Sequence, residues 1–319
     1  MQTRPRTVEL RELLRRYSVV LILLALCVAL TLLSKSFLTA SNLLNVALQT
    51  SIVAIVAIGM TFTILTGGID LSVGSVVALC GALAAGWVVR DGMNTYLAIG
   101  LALLIGCALG TISGLLIVKG NIPPFVATLS VMAIGRGLTL VYTQGKPIAG
   151  MDEDFVFWGT GKVGPIPVPV LILVLALAAA YVVLTRTRFG LYVYAIGGNE
   201  ETARLAGIKT ERIKIAVYVI SGFTAALTGV LLTARLWSAQ PTAGVGLELD
   251  AIAAPVLGGT SLFGGVGSVG GTLVGAFIMG VLSNGLNLLE ISAYYQRVIK
   301  GVVFILAVML DLYTKRRRR

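Results

Sequence analysis

Apolar and polar positions alternate along this chain in long blocks, leaving ten hydrophobic stretches at 17–34, 44–66, 72–89, 95–118, 122–143, 168–185, 215–235, 249–267, 270–289 and 293–313. About 20 predominantly apolar residues are enough for a helix to cross a bilayer. Inside lipid only helices and closed barrels satisfy their own backbone groups. The pattern therefore predicts an all-α, polytopic membrane protein of about ten transmembrane helices. The third and eighth stretches are glycine-rich and polar at their edges, so broken or partly re-entrant helices are expected there.

Composition supports the membrane reading. Charged residues make up only 12% of the chain and hydrophobic residues 57%, against roughly 25% charged in soluble domains. The formal charge of +11 could suggest nucleic acid, but the basic residues form no continuous patch with interleaved aromatics. They cluster instead in three places: five arginines before the first stretch, six basic residues in the 186–214 segment, and five in the KRRRR tail. The excess of Lys and Arg in cytoplasmic loops puts all three on the inner side. Ten spans satisfy that requirement, whereas nine or eleven would send one basic terminus out. The chain then reads as one transmembrane domain over 1–319. Residues 1–16 lie on the inner membrane surface, 186–214 form a cytoplasmic loop, and 314–319 make a basic cytoplasmic tail.

The first stretch lacks a small-residue cleavage site, so it is expected to remain as a span rather than to be removed as a signal. The longest outer loop, 144–169, carries Asp152, Glu153, Asp154 and Trp158 and suits an ordered surface facing a partner outside the membrane. No histidine is present, and the three cysteines, Cys27, Cys80 and Cys107, lie singly within apolar stretches. A Cys/His zinc site and a histidine base are thereby excluded, and the thiols read as buried small hydrophobes.

The 186–214 segment is the longest strongly polar interruption. Within it Asn199 is placed to cap a short helix, Glu200 and Glu201 fall in its first turn, where carboxylates oppose the helix dipole favourably, and Gly207 supplies the stop. Such an element, held at a membrane surface, reads either as a docking helix for a soluble partner or as an ordinary solvated loop.

The run GGNEETARLAGI at 197–208 resembles the cytoplasmic loop of permease subunits in ABC sugar importers, the ribose branch in particular. TGGIDLSVGS at 66–75, SAQPTAGVGLELDAIAAPVLGGTS at 238–261 and SNGLNLLEISAYYQ at 283–296 carry the same resemblance, which extends over roughly 43–311. It implies that the loop helix enters a cleft of a cytosolic ABC ATPase subunit, with Gly198, Asn199, Glu200, Glu201, Ala203 and Gly207 matching the coupling pattern. Ala203 would be small enough for close approach and Gly207 would let the chain leave in a left-handed turn. The further partners implied are an external sugar-binding protein, a second copy of the chain around a central pathway, membrane lipids and a monosaccharide substrate.

Two motif pairs suggest an internal repeat: IDLSVGSVVAL at 69 against LDAIAAPVLGG at 249, and GTISGLLI at 110 against GTLVGAFI at 271. With ten spans the repeat units, spans 2–5 and 7–10, have inverted topology, which places substrate near the midplane. Gly265, Gly267 and Gly270 spell G-x-G-x-x-G, yet no strand precedes them, so a flexible re-entrant turn is expected rather than a dinucleotide site. The chain carries no G-x-x-x-x-G-K-[ST] phosphate loop. ATP would be handled by another subunit, and no cofactor or enzymatic activity is expected of this one.

Ionisable residues at bilayer depth are costly and normally face protein or water. Asp70, Arg136, Asp250 and Lys300 qualify. They line or gate a sugar pathway, or else Arg136 and one Asp brace helix ends while Lys300 snorkels outward. An ion- or proton-coupled secondary transporter would also use inverted repeats and midplane charges. A receptor-like membrane protein is the third reading, and it leaves the glycine-rich broken spans unexplained.

Overall fold

The computed structural model describes residues 18–316, with side chains placed through 309. The basic segment 1–16 and residues 317–319 of the tail lie outside the described residues. Thirteen helices dominate: α1 (Ser18–Leu33), α2 (Ala40–Leu65), α3 (Val73–Val89), α4 (Thr95–Val118), α5 (Pro124–Thr143), α6 (Glu153–Thr160), α7 (Val168–Arg186), α8 (Arg188–Gly198), α9 (Glu200–Leu205), α10 (Thr210–Leu236), α11 (Leu247–Leu257), α12 (Val269–Leu288) and α13 (Ala293–Arg316). Two tiny antiparallel pairings accompany them. β1 (Ile148–Ala149) joins β4 (Ser238–Ala239), and β2 (Lys162–Val163) joins β3 (Ile166–Pro167).

Among the described residues six helices, α2, α4, α5, α7, α10 and α12, are long and apolar enough to cross a membrane, and α1 and α3 are shorter apolar helices. The chain is thus an all-helical, multi-pass membrane protein. The long helices α2 and α10 form the centre. Around them pack α3 and α4 on the α10 side and α11 and α12 on the α2 side, while α5 and α7 expose most of their apolar surface. Helices in lipid gain little from apolar burial against one another, so close approach of small residues must hold them. The α4–α10 contact shows this: a methyl group on Gly106 would strike Ala226 and the Gly222 carbonyl, and one on Gly222 would strike the Gly106 carbonyl.

Polar ties complete the core. Asn42 of α2 and Asn284 of α12 exchange reciprocal amide hydrogen bonds of 3.0 and 2.8 Å. Thr61 and Thr272 join the same two helices at 2.7 Å. Buried polar groups satisfied in this way fix register between helices that apolar packing alone would let slide.

Two of the expected spans differ from their sequence reading. The third is an unbroken 17-residue helix, α3, buried along nearly its whole length; its irregular part is the preceding 66–72 segment. Small residues all round let α3 sit inside the bundle, where a moment would serve no purpose. The eighth stretch is helical only over the 11 residues of α11. Pro255 removes an N–H within it, and the chain leaves through Gly259, Gly264 and Gly265, all at positive φ. Residues 258–268 therefore form an irregular buried-to-exposed connection into α12, where Ser268 caps the helix by accepting from the Gly271 N–H at 3.1 Å. The glycine triplet lies in this turn and opens α12 without any strand before it.

The thiols divide: Cys80 is buried, whereas Cys27 and Cys107 are only partly covered. Of the acidic residues in the 144–169 segment, Asp152 is used internally. It caps α6 through the Phe155 N–H at 2.9 Å and accepts the Thr95 hydroxyl at 2.7 Å, so it tethers α6 to the start of α4.

Candidate functional site

The 27-residue helix α10 is the longest described, and each of its ends meets another part of the chain. Near Ala234 and Arg235 it meets α6 at Gly159. Near its start, Lys214 pairs with Glu200 at 3.0 Å and so holds α9.

The 186–214 segment is two helices rather than one short helix in a loop. Thr187 ends α7 and caps α8, whose Val193 and Ile196 turn inward while Leu191 faces out. Asn199 then stops α8 and starts α9: its Oδ1 accepts the Thr202 N–H at 2.9 Å. At the other end the Gly207 N–H donates to Arg204 at 3.0 Å and the Ile208 N–H to Ala203 at 3.1 Å, with Gly207 at φ +83°. That crossed pair is a Schellman ending, which satisfies the last carbonyls of a six-residue helix. Glu200 and Glu201 occupy the first turn. Glu201 also pairs with Arg204 at 2.8 Å on the surface.

Ala203 lies elsewhere than a docking contact requires. It is only 4% exposed, so its methyl packs inside the chain, and a small side chain there lets α9 lie close to its own bundle. The outward face of α9 carries Glu201, Thr202, Arg204 and Leu205, the last 80% exposed. Leu205 is an exposed apolar residue that the residue pattern did not single out, because an apolar residue in a short polar helix is indistinguishable from one that packs inward.

The junction just before α9 is closely packed. Gly197 lies directly against the Leu65 carbonyl and the Gly265 amide, and Gly265 N–H donates to Leu65 at 2.9 Å. The Tyr194 hydroxyl donates to the Gly267 carbonyl at 2.9 Å. The α8–α9 unit is thereby seated on the irregular segments that lead into α3 and out of α11. Gly198, the last residue of α8, has open space around it.

The four interior charges fall into three separate settings. Asp70, 1% exposed, accepts from the Ser72 N–H at 3.0 Å, the Ser72 hydroxyl at 2.6 Å and, across 151 residues, the Ser221 hydroxyl at 2.7 Å. It fastens the 66–72 turn to the middle of α10. Arg136 of α5 donates through Nη1 to the carbonyls of Ala243 at 2.7 Å and Pro241 at 3.4 Å. It braces the segment before α11, and no carboxylate forms a salt bridge with it among the described residues. Asp70 and Arg136 each hold a helix entry, but not to each other.

Asp250 and Lys300 do meet: Nζ lies 2.8 Å from Oδ2, tying α11 to α13. Lys300 therefore does not snorkel outward. The pair lines a cavity of about 540 Å³ between α2, α10, α11 and α13, together with Gln49, Arg235, Gln296 and Arg297. A second hollow, about 340 Å³, lies between α5 and the 245–248 turn and is lined by Met132, Arg136, Val245 and Glu248. The sequence reading singled out neither Gln49 nor Glu248: each is a polar residue in apolar surroundings, but their convergence on these hollows depends on helices far apart in sequence.

Residues 42–308 match the family described as the branched-chain amino acid transport system permease component. The chain is 49% identical over 293 residues to the ribose import permease protein of Escherichia coli strain K12, covering 91% of each. It is 50% identical over 313 residues to that of Bacillus subtilis strain 168, covering 98% of this chain and 97% of the relative. The D-allose transport system permease protein of Escherichia coli strain K12 is 40% identical over 276 residues, 86% of this chain and 84% of the relative. No solved structure matches the chain.

Proposed function

The chain belongs to the permease-component family of the branched-chain amino acid transport system type, and on that premise we propose that it is the membrane-spanning subunit of an ATP-driven importer for ribose or a similar monosaccharide. The observation that carries this reading is the likeness to ribose import permeases, which covers nearly the whole of both chains. An external binding protein delivers the sugar, and a separate cytosolic ATPase supplies the energy through α8–α9. The permease is not itself an enzyme. It sits in the bacterial cytoplasmic membrane with ten spans, both termini and α9 cytoplasmic, and a second copy completes the pathway. A secondary transporter, coupled to ions or protons, would have no use for a rigidly seated docking helix.

The inverted repeat draws support from two entries into the bundle. Both α3 and α11 follow irregular segments with left-handed glycines, Gly67 before one and Gly244 and Gly246 before the other. Asp70 stands just before α3 and Asp250 in the first turn of α11, with different partners. On this reading Asp70 and Arg136 are braces, and the pathway runs on the Asp250 and Lys300 side. Gly198, Asn199, Glu200, Glu201 and Gly207 shape the coupling element, Ala203 seats it, and Leu205 makes contact.

Reconstitution tests the assembly: radiolabelled ribose uptake should require the permease, the ATPase, the binding protein and ATP, and should vanish when any one is omitted. Uptake driven by an ion gradient without the ATPase would replace the reading with a secondary transporter. Leu205→Glu should abolish co-purification of the ATPase while permease thermal stability stays at the wild-type value. Orientation follows from single cysteines in a cysteine-free background, where positions Thr3, Thr202 and Thr314 should resist an impermeant thiol reagent in intact cells and Ala149 should react.

A further inference from the structure

Of the interior charges, Asp250 and Lys300 share a cavity with further polar side chains. Asp70 takes three donors, and Arg136 gives its Nη1 to two backbone carbonyls. In the cavity of about 540 Å³, Lys300 binds one oxygen of Asp250 and leaves Oδ1 without a partner among the described residues. Both side chains remain partly open, at 26% for Lys300 and 15% for Asp250. Gln49 of α2 and Arg235 of α10 line the same space, and neither side chain has a hydrogen-bond or ion-pair partner among the described residues. The volume lies in the range of small-molecule pockets, roughly 300–1,000 Å³.

The lining offers both kinds of group. Asp250 Oδ1 and Gln49 Oε1 need donors, whereas the Gln49 amide, Arg235 and Lys300 need acceptors. A simple anion satisfies only the second set and a simple cation only the first. A neutral molecule rich in hydroxyls satisfies both, because each hydroxyl donates and accepts. Resting on the importer reading above, we propose that this cavity is the transient sugar subsite of the permease, where Gln49 and the free oxygen of Asp250 take the hydroxyls of a ribose-sized polyol. The ion pair keeps Asp250 from binding too firmly, so the sugar is passed on rather than retained.

The test uses the complete assembly of permease, ATPase and binding protein in liposomes, with radiolabelled ribose, reading the sugar moved per ATP hydrolysed. Gln49→Leu should lower that ratio about three- to tenfold, as expected from losing one or two uncharged hydrogen bonds, and Gln49→Asn should restore part of it. Gly301→Leu is an independent arm, because Gly301 lines the cavity and an added Cβ there meets nothing within 4 Å. It should block uptake while the assembled complex still purifies intact. Wild-type ratios in both Gln49→Leu and Gly301→Leu would overturn the subsite while leaving the importer standing. Failure of the wild-type assembly to move ribose would overturn the importer reading and the subsite with it.

Discussion

Asn199 and Asp70 do the same local job in two very different places. Each is a short polar side chain beside a chain reversal, and each accepts a backbone N–H a few residues ahead: Thr202 for Asn199 and Ser72 for Asp70. Asn199 sits at the surface and needs nothing more. Asp70 sits in the interior, and its second oxygen is taken by Ser221 from a helix 151 residues away. An exposed cap has water as a competing partner, so its loss costs little. A buried carboxylate has no such alternative, and its partners lose theirs when it is removed.

Breaking the interior member should therefore have the larger effect. Asp70→Leu strips an acceptor from three donors at once and should lower stability by about 3 kcal/mol or more, since each hydrogen bond to a charged group contributes about 1.5–3 kcal/mol. Thermal unfolding in detergent would read this, with Ser221→Ala showing a smaller loss of the same kind. An unchanged melting temperature for Asp70→Leu would mean that the contact is not a brace.

Arg136→Leu should come next, at about 1.5–3 kcal/mol, because one guanidinium serves the Ala243 carbonyl closely and the Pro241 carbonyl weakly. The sugar preference of the assembly should not change. A normally stable variant with altered preference would move Arg136 from bracing into the pathway.

At the surface, Gly207→Val forces a β-branched residue into a left-handed conformation, a strain of about 1–2 kcal/mol. The damage should stay local, appearing as faster proteolysis between α9 and α10 with little change in the global transition. Asn199→Ala should be mildest, about 1 kcal/mol of helix stability. Hydrogen exchange at the Thr202 amide would accelerate, and a fall in the global melting temperature instead would show that α9 and the bundle unfold as one unit.

The same contrast explains what could be read in advance. Nine helices, α1, α2, α3, α4, α5, α7, α11, α12 and α13, begin within a few residues of the hydrophobic stretches that announce them, because lipid demands an apolar run about one membrane thick. The start and stop of α9 were legible for a related reason: Asn199 and Gly207 bond to residues close along the chain. The shortness of α11 was harder, since Pro255 and the following glycines only weaken a helix and tertiary packing decides where it ends. The first helix of the loop, α8, was hidden by its mixture of aromatic, apolar and glycine residues.

By itself, then, the sequence determined the membrane-spanning class, the helical content, the basic clusters and the capped helix, all set by interactions within one element or with solvent. Only the tertiary structure decided that Ala203 faces inward and Leu205 outward, that Arg136 grips backbone carbonyls, and that Lys300 turns to Asp250 rather than to the membrane surface. Those outcomes depend on which helices lie side by side, and small residues such as Gly106 and Gly222 permit that closeness without stating, in a linear pattern, which surface will fill it.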